Sequence, residues 1–197
     1  MSISTDQIKK LRELTGAGVL DAKRALEEHD GDFDKALAVL KEKGLKAAAK
    51  KATRVAKQGL VETYVHAGGK IGVMLEINCE TDFVARTPDF QELAHDLALQ
   101  IAASKPLFVS LEDIPAATLE EQKKIFTDAA VAEGKPANIV ERIVQGKLET
   151  FYRDACLLKQ PFIRDEAVTI HDLIQSEIAK LRENIVVRRF ARFELGE

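Results

Sequence analysis

Two carboxylates, Glu80 and Asp82, flank Thr81 near the middle of the chain, and a pair of carboxylates can supply the acid and the base of a catalysed reaction. Such a pair needs surroundings that hold its two pKa values apart. The neighbouring sequence offers none, and no histidine of the chain adjoins a nucleophile motif. An acid–base enzyme therefore stays open only as an alternative, and the residues favour a protein that acts by binding a partner.

Phe83 and Val84 follow these carboxylates and place apolar side chains beside Asp82 and near Arg86. Two interpretations are open. Phe83 can pack under a sheet as ordinary core, which is common for phenylalanine. Alternatively, residues 80–86 form an exposed apolar and acidic segment that inserts into a partner. We call these seven residues the wedge.

Other chemistry is not indicated by the motifs. The chain contains neither the G-x-x-x-x-G-K-[ST] loop nor the G-x-G-x-x-G turn, so no bound nucleotide or other cofactor is expected. Cys79 and Cys156 lie far apart and form no C-x-x-C pair, which argues against a disulfide framework and a zinc site. His66 and Cys79 are predicted at opposite ends of a hairpin, so no metal site is expected from them.

The charges are distributed unevenly along the chain. Residues 1–58 carry 13 Lys and Arg against 9 Asp and Glu, whereas residues 59–197 carry 16 against 23. The basic excess is concentrated in residues 46–57, which hold five cations and no acid. We interpret this run as a solvated linker because it lacks interleaved aromatic residues, so nucleic-acid contact is not expected; an RNA-binding, ribosome-associated protein is the alternative.

The composition is that of a globular protein. The chain has 197 residues, 46% of them apolar, which is enough for a hydrophobic core in one or two domains. No stretch approaches the ~18 consecutive apolar residues of a membrane span, and residues 1–6 match neither a signal peptide nor a transit peptide. A cytoplasmic location without membrane contact is therefore expected.

The wedge lies between a predicted strand and a predicted helix. Thr87 and Pro88 form a helix N-cap followed by a proline at the first helical position. Before the wedge, residues 59–78 predict a β-hairpin around Gly68 and Gly69. One face of the hairpin is expected to hold Val61, Thr63, Val65, Ile71, Val73, Leu75 and Ile77. This arrangement requires a loop of three or five residues with a glycine at positive φ.

The N-terminal residues predict three short amphipathic helices. Ser4 and Gln7 form a capping box for the first, which ends at Gly16. The second runs from Val19 to Glu28, and the third starts after Asp32 and ends at Gly44. We therefore expect a three-helix domain at residues 1–45, a linker at 46–57 and a core domain at 58–197.

The core domain is predicted to be α+β. Helices are indicated after Pro88, from a capping box of Thr118 and Glu121, after Pro136, and from Thr169 with Asp172. Residues 184–195 have the β-branched and aromatic content of a strand. Beside the hairpin, this strand gives a small antiparallel sheet of about three strands covered by helices.

The sequence resembles the bacterial elongation factor Ts family over essentially its whole length. Three motifs carry the resemblance in the same order: LRELTGAG at 11–18, NCETDFVAR at 78–86 and ENIVVRRF at 183–190. The resemblance implies a guanine-nucleotide exchange factor of elongation factor Tu in translation elongation, which is not an enzyme. It also implies a ubiquitin-associated-like fold for the N-terminal domain.

The family implies two partner-binding surfaces. Thr81, Asp82, Phe83 and Val84 would form the tip that disturbs the magnesium and phosphate site of elongation factor Tu, which promotes GDP release. Arg12, Val19 and Leu20 would lie on the surface that docks on its nucleotide domain, and we call these three residues the docking edge. The partner would be bound in its GDP-bound and nucleotide-free forms.

The length of the chain predicts a symmetric homodimer. Longer family members carry two related core subdomains and a coiled-coil insertion, whereas 197 residues leave room for one core. A second copy could supply the missing half through an isologous contact. The outer face of the small sheet, bearing Met74 and Val186, is the expected contact surface.

Overall fold

In the computed structural model, which describes residues 3–196, three helices precede a three-stranded antiparallel sheet that packs against further helices. The predicted α+β class is confirmed. The helices are α1 (Thr5–Thr15), α2 (Val19–Glu28), α3 (Phe33–Ala49), α4 (Asp82–Ala85), α5 (Pro88–Ser104), α6 (Ala116–Ala132), α7 (Ala137–Ala155) and α8 (Ile170–Leu181). The strands are β1 (Gln58–Val65), β2 (Ile71–Cys79), β3 (Pro161–Phe162), β4 (Asp165–Thr169) and β5 (Val186–Glu194).

The first three helices begin as predicted. The Gln7 N–H donates to Ser4 Oγ over 3.1 Å and the Ser4 N–H donates to Gln7 Oε1 over 3.1 Å, which forms the capping box of α1. Gly16 ends α1 at a φ of 63°, and Asp32 caps α3. A hydrophobic cluster of their own joins the three helices: Leu11, Ala22, Ala25, Leu26, Ala36 and Leu40.

The prediction that Gly44 ends α3 is wrong, because the helix continues to Ala49 within the basic run 46–57. A Cβ at Gly44 would lie 3.0 Å from the Cβ of Ala179, so the glycine lets α3 pass close to α8. A glycine inside a helix costs about 1 kcal/mol in propensity. Packing against α8 and burial of Ala48 offset that cost. The division into domains at 1–45, 46–57 and 58–197 remains a prediction.

The hairpin pairs one residue away from the expected register. Leu60 pairs with Ile77 and Tyr64 with Val73, so the predicted inward set Val61, Thr63 and Val65 faces outward instead. Both alternating sets of β1 contain apolar residues, which leaves the pattern ambiguous. Glu62, the polar member of the inward set, finds a partner on α5, since its Oε1 lies 3.2 Å from His95 Nδ1.

The turn of the hairpin differs accordingly. Residues 66–71 lie between the paired Val65 and Gly72, an even number, so the expected odd loop is wrong. Positive φ values at Gly68 (88°) and Gly69 (69°) are confirmed. These two glycines allow the chain to reverse where residues with a Cβ would be strained.

The main core lies between the sheet and helices α5 and α8. The strand order is β1-β2-β5, so the last strand lies beside the hairpin as predicted. The sheet contributes Val73, Leu75, Ile77 and Val187, and α5 and α8 contribute Phe90, Leu97, Ile101, Ile170, Ile174 and Ile178. This core carries the wedge, which lies between β2 and α5.

The remaining elements agree in part with the sequence patterns. Pro136 precedes α7 and Thr169 caps α8, as predicted. The predicted capping box of Thr118 and Glu121 is wrong, because α6 already begins at Ala116 after Pro115. The β3–β4 ribbon was not predicted. No helix within residues 3–196 is long and apolar enough to cross a membrane.

Candidate functional site

The wedge contains a short helical turn held by a cap at each side. Thr81 caps α4 by accepting a hydrogen bond from the Val84 N–H over 3.3 Å. Thr87 caps α5 by accepting one from the Phe90 N–H over 3.4 Å. The backbone of the wedge is therefore fixed where it leaves β2 and where it enters α5.

Phe83 lies on the surface with 78% of its area exposed, and Val84 is buried. Neighbouring side chains on a helical turn point about 100° apart, so Phe83 faces outward while Val84 packs into the core. The interpretation of Phe83 as a core residue is wrong. Thr81 and Asp82 are also exposed, so three of the four predicted tip residues form a surface and Val84 lies beneath them.

The two carboxylates of the wedge have separate structural partners. Glu80 Oε1 accepts a hydrogen bond from the Asn184 N–H over 2.7 Å and lies 3.6 Å from Arg54 Nη1. Asp82 Oδ2 accepts one from Arg86 Nη2 over 2.7 Å. Glu80 is thus engaged by the Asn184 backbone and Asp82 by Arg86, so these two carboxylates are not arranged as an acid–base pair.

Glu183 is the residue at this site that sequence reasoning missed. Its Oε2 accepts hydrogen bonds from the Glu80 N–H over 3.1 Å and the Thr81 N–H over 3.0 Å. Its Oε1 accepts one from the Thr81 hydroxyl over 2.7 Å. The signal was present, since Glu183 opens the third motif, but the pattern did not show what the carboxylate binds.

The docking edge lies on the first two helices and is exposed. Leu20 has 76% and Val19 50% of its area exposed at the start of α2, and Arg12 is exposed on α1. The connection between these helices contacts the end of α8, where Arg182 Nη2 donates to the Gly16 carbonyl over 3.1 Å. The end of α8 therefore contacts the connection between α1 and α2 and, through Glu183, the wedge.

Both cysteines are buried and form no disulfide. Burial raises the pKa of the Cys79 thiol, and the Glu183 carboxylate adds to the increase. The thiol donates to the Thr81 carbonyl over 3.1 Å, directly under the wedge. Burial also raises the pKa of the Cys156 thiol. No group of metal-binding side chains occurs between residues 3 and 196.

The basic run is partly engaged in internal contacts. Lys46 Nζ donates to Glu42 Oε1 over 2.6 Å, and the Arg54 carbonyl accepts a hydrogen bond from Asn184 Nδ2 over 2.8 Å. Burial lowers the pKa of Lys51, and the positive charges of Arg54 and Arg182 lower it further. These contacts give the RNA alternative no support beyond composition.

Comparison with known proteins gives a consistent result. The family model "Elongation factor TS" matches residues 7–197. A protein of Carboxydothermus hydrogenoformans named Elongation factor Ts is 55% identical over 195 residues, covering 99% of this chain and 90% of the relative. A protein of the same name from Caldanaerobacter subterraneus is 56% identical and covers 99% of this chain and 98% of the relative. One from Herpetosiphon aurantiacus is 57% identical and covers 100% of this chain and 99% of the relative.

Proposed function

The chain belongs to the elongation factor Ts family, and from this premise we propose that its wedge and docking edge together release GDP from elongation factor Tu. The protein is a nucleotide-exchange factor for elongation factor Tu in translation elongation, it works in the cytoplasm, and it is not an enzyme. The proposal concerns the residues that perform the exchange.

Exchange needs no chemical step by the factor. An exchange protein that binds the nucleotide-free form of its partner more tightly than the GDP-bound form lowers the partner's affinity for GDP. The two affinities change by the same ratio, since coupling between two sites is reciprocal. The factor therefore docks on the GDP-bound form, distorts the nucleotide site, and stays bound after GDP leaves.

The observation that carries this proposal is the exposure of Phe83 on a fixed turn. A buried ring would be unable to reach a partner, whereas 78% of Phe83 is exposed. The caps at Thr81 and Thr87 hold the turn, so little conformational entropy is lost when the ring enters a pocket. Such preorganised aromatic side chains are typical binding hot spots.

Asp82 would act on the metal and phosphate region next to that pocket. Its carboxylate is mostly exposed, with Arg86 as its one ion-pair partner among residues 3–196. A carboxylate brought near bound phosphates repels them and competes for the magnesium ion. Val19, Leu20 and Arg12 would meanwhile hold the nucleotide domain from a second side.

We also propose that two copies associate through the outer face of the β1-β2-β5 sheet. The observed register turns Val61 and Val65 outward and so enlarges this face beyond the predicted Met74 and Val186. Its exposed apolar side chains are Val61, Val65, Met74, Val186 and Phe193. These side chains share the face with the Glu76–Arg189 ion pair. Exposed apolar side chains gathered on one face are typical of an interface, and a two-fold contact would cover both copies at once.

The test of the exchange mechanism is Phe83→Ala with Leu107→Ala as its control, since Leu107 is 68% exposed elsewhere on the molecule. Release of fluorescent GDP from elongation factor Tu is measured at rising concentrations of each variant. Phe83→Ala is expected to lose upward of about 2 kcal/mol of binding, more than about tenfold in affinity. Leu107→Ala should match the unchanged protein, and a normal exchange rate for Phe83→Ala contradicts the proposal.

A further inference from the structure

The three residues that follow α8 contact the wedge and the connection between α1 and α2, the two helices that carry the docking edge. Arg182, at a φ of 63°, ends α8 and donates from Nη2 to the Gly16 carbonyl. Glu183 accepts three hydrogen bonds from Glu80 and Thr81. Asn184 is buried and donates from Nδ2 to the carbonyls of Ala52 and Arg54. This short segment therefore joins the connection between α1 and α2, the wedge and the chain between them.

We propose that Glu183 is a positioning residue for nucleotide exchange, because it fixes the start of the wedge and so sets the direction in which Phe83 and Asp82 meet the partner. The inference rests on the proposed function of the wedge. Glu183 acts through Thr81 and is not placed in contact with the nucleotide or the metal.

The hydroxyl of Thr81 explains why this carboxylate matters. The hydroxyl donates to Glu183 Oε1 over 2.7 Å and accepts from the Val84 N–H over 3.3 Å. Glu183 thus orients the hydroxyl so that its lone pair caps α4. Without the carboxylate, the amides of Glu80 and Thr81 lose their acceptor and the cap is no longer oriented. Hydrogen bonds to a charged acceptor are among the stronger ones in proteins.

The contact with the connection between α1 and α2 is equally close. A Cβ at Gly16 would lie 2.5 Å from the Cα of Lys180 and 2.8 Å from its carbonyl oxygen. The backbone between α1 and α2 is therefore in direct contact with the end of α8. Because Glu183 follows this contact by a few residues, the wedge and the connection between α1 and α2 are fixed to the same short segment.

Two substitutions test Glu183. Glu183→Gln keeps the shape and removes the charge, whereas Glu183→Asp keeps the charge and shortens the reach to Thr81. The matched control is Asp113→Asn, since Asp113 Oδ2 also accepts hydrogen bonds from a backbone N–H and a hydroxyl, both of Ser110, over 2.9 and 2.8 Å. All three variants should fold, which circular dichroism and thermal melting establish.

Cys79 supplies a local readout of the wedge. Its thiol is fully buried and donates to the Thr81 carbonyl, so a thiol reagent reaches it only when the wedge opens. Labelling is followed separately for Cys79 and Cys156 by peptide mass spectrometry. Both Glu183 variants should label Cys79 several-fold faster and leave Cys156 unchanged. The Glu183→Asp result excludes a simple charge effect on the thiol, because that variant keeps the carboxylate.

Exchange kinetics supply the functional readout. Loss of a hydrogen-bonded charge should lower the maximal rate of GDP release by about tenfold. The concentration of exchange factor at half-maximal rate should rise less than it does for Phe83→Ala, because the Glu183 variants keep the Phe83 ring. In a Phe83→Ala background, Glu183→Gln should cause little further loss, since both changes disable the same wedge.

The outcomes separate this inference from the function on which it rests. If Phe83→Ala exchanges normally, the wedge mechanism itself is wrong and the role of Glu183 falls with it. If Phe83→Ala is impaired but both Glu183 variants exchange like Asp113→Asn, or their losses add in full to that of Phe83→Ala, Glu183 is not a positioning residue. A global loss of stability with equally faster labelling of both cysteines would likewise overturn the proposal.

Discussion

The wedge and the outer face of the sheet both expose apolar side chains, but they do so in opposite ways. The wedge presents one aromatic ring on a capped turn, with Asp82 and Arg86 exposed beside it. The outer face spreads Val61, Val65, Met74 and Phe193 over three paired strands. A single rigid ring suits a partner that must later leave, whereas an extended flat face suits a contact that stays closed.

The two surfaces are also held in place by different kinds of hydrogen bonds. The wedge is held by hydrogen bonds that the Glu183 carboxylate accepts from Thr81, whereas the outer face is held by the backbone ladder of the sheet. A change of one side chain can therefore alter the wedge without unfolding the core. The outer face changes mainly through the side chains it presents.

The largest expected effect is on the free energy of unfolding, and it distinguishes Phe83 from Phe90. Phe90 follows Phe83 closely in sequence and is fully buried. Phe90→Ala should lower the free energy of unfolding by about 3–5 kcal/mol, since it leaves a cavity between the sheet and α5. Phe83→Ala should stay within about 0.5 kcal/mol of the unchanged protein. Denaturant unfolding of both variants decides this, and equal destabilisation by the two substitutions would place Phe83 in the core after all.

The next effect concerns the sheet face. Phe193→Asp should turn a homodimer into a monomer of about 22 kDa at micromolar concentration, with a loss upward of about 2 kcal/mol for each copy. In a two-fold contact the substituted residue lies in the interface on both copies, so its effect on the binding free energy is doubled. Phe83→Ala and Leu107→Asp should leave the dimer intact. Sedimentation measures all three, and a monomer in the unchanged protein at that concentration would end the proposal.

The sequence predicted this fold well where a local signal had one meaning. Capping residues such as Ser4, Asp32 and Thr169 mark helix starts by their own hydrogen bonds, and they were located correctly. The end of α3 was predicted wrongly at Gly44 because a glycine can either end a helix or allow a close contact between helices. Which of the two applies depends on Ala179, more than a hundred residues away.

The sequence patterns did not predict the register of β1 or the contact of Glu183 with the wedge, because both depend on residues far away in the chain. Val61 and Leu60 are both apolar, so alternation alone could not choose the inward face, and the choice depends on packing against α5. Glu183 reaches Thr81 across a long separation in sequence. The exposed ring of Phe83 was predicted only as one of two alternatives, because local sequence does not encode exposure.

A smaller effect concerns the segment that carries the docking edge. We propose that residues 1–45 form a separable domain, because they have a hydrophobic cluster of their own. Their amides should be at least about tenfold less protected from hydrogen exchange than those of β2, about 1.4 kcal/mol in opening free energy. Native-state hydrogen exchange tests this. Equal, fully cooperative protection extending through residues 46–57 would show that the docking edge and the wedge belong to one folding unit.

The smallest expected effect comes from Asp82. Its pair with Arg86 (2.7 Å) closely matches the pair of Asp128 with Lys124 (2.8 Å), which is a helical pair of similar exposure on α6. Exposed pairs of this kind contribute about 0–1 kcal/mol, so Asp82→Ala and Asp128→Ala should melt alike.

Only Asp82→Ala should slow the release of fluorescent GDP. Its affinity for nucleotide-free elongation factor Tu should fall by less than about 1 kcal/mol, because Val19 and Leu20 still dock. Titration calorimetry with the nucleotide-free partner and stopped-flow release from the GDP complex measure the two quantities separately. If Asp82→Ala loses affinity and rate in equal measure, the carboxylate is a docking contact, and the wedge then acts only by holding the partner, as the sheet face does.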